Sequence, residues 1–150
     1  MVEISAGNQL GNSIEDAELT TKTNYLSLTG ADFTSNAPAT DVVTFGNSAV
    51  TPTSATMYAP IHLPQGAVVT NIIIYGTAGA EDKNYYLKRF NSAFAITTMA
   101  QALVNSADAT IDNATIDNAT YGYFIQTDNL VAGENIWLAV ITFTSKVPTS

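Results

Sequence analysis

Apolar residues fall in short runs along most of the chain, and turn-forming residues separate these runs. The separating segments include Gly46 with Asn47, Pro64 with Gly66, and residues 132–134. Short runs rich in β-branched and aromatic side chains predict β-strands, and a series of them at short intervals predicts a sandwich or a barrel. The predicted strands are residues 25–28, 41–45, 55–63, 68–75, 85–90, 121–127 and 136–144.

Two of these runs are apolar on both faces of the predicted strand. Residues 68–75 and 136–143 have almost no polar alternation, as expected of strands that are covered on both sides. We therefore expect both strands in the centre of a sheet. Residues 85–90 combine a solvent-exposed face with a buried face and include the adjacent cations Lys88 and Arg89, which favours a strand nearer an edge.

Residues 94–104 fit two kinds of secondary structure. Ala95, Met99, Ala102 and Leu103 lie at helical spacing, whereas the sequence Ala-Ile-Thr-Thr in the same segment suits an extended strand. Periodicity by itself favours a helix here.

The first part of the chain differs in composition from the rest. Residues 1–22 are polar and include the clustered acids Glu15, Asp16 and Glu18, which predicts a polar N-terminal arm or short helix before a β-domain at 23–150. The chain begins without the basic start and apolar run of a secretion signal, and no stretch is apolar for long enough to span a bilayer. We therefore expect no membrane insertion.

Composition and charge limit the classes of partner. The 150 residues are enough for one domain with a core of its own. The net charge of −8 at pH 7 repels nucleic acids and anionic lipid surfaces. The absence of cysteine excludes disulfides, thiolate nucleophiles and thiolate zinc sites. Charged residues make up only 12% of the chain, which is more typical of extracellular and virion β-proteins than of cytosolic enzymes.

A five-residue repeat, Thr-Ile-Asp-Asn-Ala, occupies residues 110–114 and again 115–119. An odd period cannot keep both isoleucines on one face of a straight strand, so a turn or bulge is expected between them. The repeated corners offer the carboxylate and amide oxygens that calcium prefers. The alternative is that Asp and Asn make turns through side-chain hydrogen bonds, and no other cofactor is expected. The candidate calcium ligands are Asp112, Asn113, Asp117 and Asn118, with Asp108 or Asp128 as a further one.

Few residues are available for catalysis. His62 is the only histidine, so a Ser-His-Asp triad would have to use it, but its position between two apolar residues favours a structural role. The acidic pairs Glu15 with Glu18 and Glu81 with Asp82 lie on polar segments, where a solvated surface is expected rather than glycoside hydrolysis. No glycine-rich phosphate loop is present. The sequence therefore predicts a protein that is not an enzyme.

Aromatic side chains are the remaining resource for binding, because a ring offers an apolar face to a sugar. The alternative is that these rings alternate into the core or form cross-strand pairs. The candidate glycan-binding residues are Tyr85, Tyr86, Tyr121 and Tyr123, with Trp137 as a further ring.

Three segments carry a resemblance to known domains. The sequence YAPIHLPQGAVVT at 58–70, together with IDNATYGYF at 116–124 and LAVITF at 138–143, resembles a recurrent pattern of uncharacterised β-sandwich domains. Such domains occur in bacterial secreted and cell-surface proteins and in phage and metagenomic virion proteins. The resemblance implies an all-β, antiparallel two-sheet β-sandwich of jelly-roll-like kind, with a strand rather than a helix at 94–104. It carries no agreed activity, and the sequence itself does not separate a jelly-roll strand order from an immunoglobulin-like one.

These observations favour a structural or interaction protein. The leading hypothesis is a virion component, as coat, decoration or fibre, that self-associates into a homo-oligomer or particle. The alternative is a cell-surface or extracellular adhesive module that binds polysaccharide or forms filaments.

Overall fold

The computed structural model describes residues 19–35, 42–44, 48–50 and 55–148, with the backbone alone for 42–44 and 48–50. Within these ranges the chain forms β-strands and two short 3₁₀ turns, Gly30–Asp32 and Ala78–Ala80. In chain order the strands are β1 (Leu19–Thr29), β2 (Thr34–Ser35), β3 (Val42–Thr44), β4 (Ser48–Val50), β5 (Met57–Ile61), β6 (Val68–Gly76), β7 (Asn84–Phe90), β8 (Ile96–Leu103), β9 (Ala107–Asp108), β10 (Gly122–Thr127) and β11 (Asn135–Pro148).

The strand order within the two sheets defines the topology. The main path of the first sheet is β1-β11-β6-β9, and that of the second sheet is β5-β10-β7-β8. The antiparallel partners are therefore β1 with β11, β5 with β10, β6 with β9 and β7 with β8. The chain is thus an antiparallel double ribbon that is rolled up from its two ends, which is the jelly-roll arrangement. The predicted all-β, antiparallel two-sheet sandwich is confirmed.

Three short strands extend this framework. The β3–β4 hairpin adds to the first sheet through β4, which pairs with the start of β11. Strand β2 pairs with β5 at the margin of the second sheet. The predicted strand at 41–45 corresponds to β3, and its end residues 41 and 45 lie outside the described residues.

The segment 94–104 is a strand, as the resemblance implied, and the helical interpretation of its periodicity was wrong. Strand β8 pairs with β7, and a register shift between Leu87 and Lys88 leaves Met99 as an extra residue in β8. This bulge places two consecutive side chains, Met99 and Ala100, in the core. The bulge interrupts the period of two, so the apolar positions imitate a helical pattern.

The predicted positions of strands within the sheets agree with the structure. Strands β6 and β11 are central, as their apolar sequences predicted, since each is paired on both sides. Strand β7 lies between β10 and the edge strand β8, so it is near an edge, as expected. Strand β1 begins at Leu19 and pairs with the end of β11, so residues 19–22 belong to the first sheet. Residues 1–18 of the predicted arm lie outside the described residues.

The core lies between the two sheets and is built by alternation. In β10, Tyr123, Ile125 and Thr127 are buried, while the residues between them face outward. The one polar member of this set, Thr127, accepts a hydrogen bond from the backbone N–H of Met57, so its hydroxyl is not left unsatisfied. No helix in the described part of the chain is long and apolar enough to cross a membrane.

Tyr85 joins the two sheets through the core. It projects from β7 of the second sheet and is fully buried. Its hydroxyl lies within hydrogen-bonding distance of two backbone oxygens, 2.8 Å from that of Ile72 on β6 and 2.6 Å from that of Ser106 before β9. A buried hydroxyl without partners would be costly, and here the partners belong to the opposite sheet. Burial raises the pKa of Tyr85 above its ordinary value.

The substitution Tyr85→Phe tests this contact between the sheets. It keeps the ring and removes the hydroxyl, so we expect the free energy of unfolding to fall by about 1–3 kcal/mol. Because the folded state raises the pKa of Tyr85, the stability that this group contributes is fully present below the unfolded tyrosine pKa of about 10 and is lost as the pH rises above it. Urea titrations on both sides of that pH should show a smaller alkaline loss in the variant. Tyr25→Phe, at an exposed tyrosine of β1, is the control, and an equal effect there would contradict the assignment.

Candidate functional site

The outer face of the second sheet carries a row of aromatic rings. Because Tyr123 and Ile125 of β10 point into the core, Phe124 points outward. Its ring centroid lies 6.4 Å from that of Tyr58 on β5 and 5.9 Å from that of Phe90 on β7. The row therefore crosses three neighbouring strands.

The row continues into the turn between β7 and β8. The ring of Phe94 meets that of Phe90 in an edge-on arrangement with centroids 5.8 Å apart. These distances lie in the range of favourable aromatic pairs. The four rings therefore support one another in a fixed arrangement on the outside of the sandwich.

The rings line a cleft with a volume of about 670 Å³ that is open to solvent. This is the size of a small-molecule binding site. None of the described residues that line it is Asp, Glu, Lys or Arg. We call it the aromatic cleft; its lining side chains include Thr34, Tyr58, Pro60, His62, Phe90, Phe94, Ile96, Asn118, Tyr121, Phe124 and Gln126.

Phe94 occupies an unfavourable backbone conformation. Its φ is +57°, a left-handed conformation that costs a residue with a side chain roughly 1–2 kcal/mol. The side chain of Asn91 holds the turn, because its Oδ1 accepts hydrogen bonds from the N–H groups of Ala93 and Ala95. Phe94 is nevertheless 71% exposed. A strained turn here presents a large apolar ring to solvent, and such strain is characteristic of functional sites.

Gly122 creates the space that Phe90 occupies. The two residues are directly opposite each other on β10 and β7. A Cβ atom at position 122 would overlap the ring of Phe90. The glycine therefore lets the ring lie flat against the sheet beside Phe124.

Polar groups border the cleft at one end. The Oε1 atom of Gln126 accepts a hydrogen bond of 3.0 Å from Nζ of Lys88, and the same ammonium lies 4.8 Å from the ring centroid of Tyr86. The hydroxyl of Tyr86 donates to Asp128 at 2.9 Å, and burial together with this carboxylate raises the pKa of Tyr86. The Gln126 amide is thus held in position while its Nε2 group stays available to a ligand.

The four tyrosines predicted to bind glycan do not form one platform. Tyr85 is fully buried, so the prediction of an accessible ring is wrong for this residue. Tyr123 is 5% exposed and belongs to the residues that line the cleft. Tyr86 lies on the outer face in contact with Lys88, outside the cleft lining. Tyr121 does line the cleft, and the guanidinium of Arg89 lies 4.0 Å from its ring centroid.

The sequence interpretation missed the rings that form the row. Alternation from Tyr123 could have placed Phe124 outward. Tyr58, Phe90 and Phe94 could not be added by the same reasoning, because their proximity depends on the register of β5 and β7 against β10.

The residues of the proposed calcium site serve in turns. Asp117 has a lowered pKa, chiefly because the hydroxyl of Thr120 donates a hydrogen bond to its carboxylate. The backbone N–H of Asn118 donates to Oε1 of Gln65, and its Nδ2 donates to the carbonyl of Leu63 at 2.8 Å. These bonds anchor the second corner of the repeat to the turn after β5.

The first copy of the repeat also forms a turn. Asp112 and Asn113 form a turn in which Asn113 has a φ of +52°, so a turn lies between the two isoleucines of the repeat as predicted. The further candidates Asp108 and Asp128 accept hydrogen bonds from the backbone N–H groups of Gln101 and Asn84. Across the described residues, no group of three or more His, Cys, Asp or Glu could hold a metal ion. Calcium binding stays a prediction.

The residues considered for catalysis are not assembled into a site in the described part of the chain. His62 is exposed at the end of β5 and lines the cleft, which has no carboxylate in its lining. Glu81 accepts a hydrogen bond from Asn105, and exposed Asp82 pairs with Lys83. The pair Glu15 and Glu18 lies outside the described residues.

The outer face of the first sheet forms a second surface. Ile136 and Ala139 of β11 are buried, whereas Trp137 and Leu138 between them are not. The register shift against β6 at this point marks a bulge that turns both side chains outward. Trp137 is 41% exposed. This bulge enlarges the apolar area outside the core.

The neighbouring strands continue this surface, which we call the uncharged face. None of its side chains is Asp, Glu, Lys, Arg or His, and the closest charge along β11 is Lys146 near the strand's end. At its margin the carboxylate of Asp32 accepts hydrogen bonds from Thr29. The face consists of Tyr25, Ser27 and Thr29 on β1, Trp137, Leu138, Val140 and Thr142 on β11, Ile73 and Tyr75 on β6, and Ala107 on β9.

No protein-family model matches the sequence, and a search of the curated proteins found no match.

The substitution Gly122→Ala tests how the ring row is built. The added methyl group displaces the ring of Phe90, so we expect a loss of about 1–3 kcal/mol in the free energy of unfolding. With Phe90→Ala in the background, Gly122→Ala should cost much less, because the overlap is gone. Denaturant titration of the single and double variants measures this coupling. Strictly additive effects would contradict it.

Chelation tests the turn interpretation of the repeat. We expect an excess of EDTA to leave the melting temperature unchanged, because the Asp117 carboxylate already accepts hydrogen bonds from Thr120 and from the N–H of Ala119, and the Asn118 amide is already bonded to the carbonyl of Leu63. Asn118→Ala should instead lower the free energy of unfolding by about 1 kcal/mol, with or without calcium. A melting temperature that falls on chelation and recovers with added calcium would overturn this interpretation in favour of the metal site.

Proposed function

We propose that this chain is a non-enzymatic structural and interaction protein that associates with copies of itself through the uncharged face. The observation that supports this most directly is that the two central strands of the first sheet carry apolar side chains on their outer side, including Leu138, Val140 and Ile73. These half-buried side chains adjoin the exposed rings of Trp137 and Tyr75, and a contiguous apolar surface that solvent reaches marks a protein interaction site.

Charge favours a second copy as the partner. The protein has a net charge of −8, so two copies repel each other over most of their surfaces. A two-fold contact brings the same patch of each subunit together, and a patch with charges of one sign would then repel itself. The side chains of the uncharged face bring no charge of their own into such a contact, and the Asp32 carboxylate lies only at its margin.

The composition of the face also suits an interface. Trp and Tyr are the residues that most often dominate binding energy. Trp137 lies at the bulge, and Tyr25 is 69% exposed on β1. Serine and threonine on β1 provide an uncharged polar margin, as in the rim of ordinary interfaces.

A viral particle is the setting that we propose for this self-association, with the chain as a coat, decoration or fibre component. The support is the jelly-roll order of strands, an architecture used in viral capsid and lectin domains, together with the low proportion of charged residues. A cell-surface or extracellular adhesive module is the alternative setting. Neighbouring genes for portal and tail proteins would favour the first, and genes for surface-layer and secretion proteins the second.

The expected outcome is a concentration-dependent homo-oligomer in sedimentation velocity and light scattering. Trp137→Ala should weaken the association by about 2 kcal/mol, or roughly thirty-fold in Kd. Ser27→Glu places a carboxylate opposite Val140 on the same face and should weaken it further by self-repulsion.

Phe94→Ala is the matched control, because this ring is as exposed as Tyr25 but lies on the opposite sheet. It should leave the association unchanged. A wild-type protein that stays monomeric at the highest soluble concentration would refute self-association, and an oligomer equally stable in all three variants would refute this interface.

A further inference from the structure

Independently of self-association, we propose that the aromatic cleft is a binding site for a neutral saccharide. The cleft lies on the sheet opposite to the uncharged face, and its rings are those of Tyr58, Phe124, Phe90 and Phe94. The residues that carry saccharide binding are therefore different from those that carry self-association.

The arrangement of the rings points to a ligand with several flat apolar faces. Successive centroids lie 6.4, 5.9 and 5.8 Å apart, so the rings follow one another across β5, β10 and β7 into the next turn. Sugar rings have an apolar C–H face that packs on an aromatic ring, and their hydroxyl groups remain available at the edges. A row of rings accommodates consecutive sugar units of a chain.

The polar atoms of the cleft fit hydroxyl groups. The amide of Gln126 is fixed by Lys88 through its oxygen, which leaves the Nε2 donor for a ligand oxygen. Further hydrogen-bond donors and acceptors in the lining belong to His62, Thr34 and Tyr121. A few placed polar groups among apolar side chains are what gives a small-molecule site its specificity.

Charge excludes other classes of ligand. No Lys or Arg lines the cleft. Two cations lie beside it, but both are engaged by neighbouring side chains, Lys88 by Gln126 and Tyr86 and Arg89 by the ring of Tyr121, so a phosphate, a sulfate or a sugar acid finds no unengaged cation there. With no Asp or Glu in its lining, the cleft has no charged partner for a cationic peptide. The ligand is therefore neutral. The long apolar chain of a fatty acid would need an enclosed site to remove it from water, whereas this cleft is open.

Phe94 gives independent support to a ligand site. It combines a positive φ with 71% exposure, so its contact with Phe90 leaves most of the ring in water while the backbone is strained. A glycine would relieve the strain at this position, and a polar side chain would be better solvated. A ligand that stacks on the ring explains why a phenylalanine stands there.

Binding is tested with the full chain on an array of neutral and sialylated or uronic-acid oligosaccharides, followed by calorimetric titration of the best neutral oligosaccharide. We expect saturable binding of neutral glycans and none of the acidic ones. Phe94→Gly should weaken binding at least ten-fold while the melting temperature stays the same or rises. Phe124→Ala should also weaken it at least ten-fold.

Two controls separate this site from the interface. Leu19→Ala removes an exposed apolar side chain of the other sheet that lies outside the uncharged face and should bind sugar as the wild type does. Ser27→Glu is designed to separate the copies and should keep the affinity of each chain for the saccharide. Saccharide binding can therefore be observed even if the protein does not self-associate. The proposal is overturned if no neutral glycan binds, if acidic glycans bind better, if a fatty acid binds and no sugar does, or if Phe94→Gly and Phe124→Ala both keep the wild-type affinity.

Discussion

The pairing of the first strand with the last is the constraint on which the rest of the molecule depends. Strand β11 has 14 residues and is held between β1 on one side and β6 on the other. Its pairing with β1 closes the roll, and the pairs β5 with β10 and β7 with β8 then stack over it as the second sheet. Since side chains alternate across every strand, one face of each sheet makes the core and the other face must lie outside.

Alternation therefore decides which residues are left for binding. The chain has more apolar residues than one layer between two sheets can bury, because β6 and β11 are apolar on both sides. The surplus appears on the outside as Ile73, Leu138 and Val140 in the first sheet and as the rings around Phe124 in the second. The two outer faces differ in shape: the first is a broad apolar surface, and the second is a cleft because the β7–β8 turn lifts Phe94 beside Phe90.

Local patterns predicted the strands well but did not indicate which strands pair with each other. Period-two alternation and turn residues depend on neighbouring positions alone, so the runs at 68–75 and 136–144 correspond to β6 and β11. The bulge at Met99 could not be foreseen, since it exists only relative to the register of β7. The ring row was missed for the same reason, whereas Tyr85 was chosen for its chemistry and turned out to join the sheets through the core. Residue type indicates which interactions a side chain can make, whereas strand register determines where in the structure it makes them.

The two surfaces are compatible because they lie on opposite sides of the sandwich. If the uncharged faces of two copies meet, each aromatic cleft points away from the contact and stays open to solvent. A weak interaction of each open cleft with a saccharide chain then becomes a strong one when several clefts engage the same polymer or cell surface, since every event after the first is intramolecular. Self-association through one sheet would thus convert a shallow, uncharged cleft on the other sheet into an effective adhesive surface, and neither surface alone would have that effect.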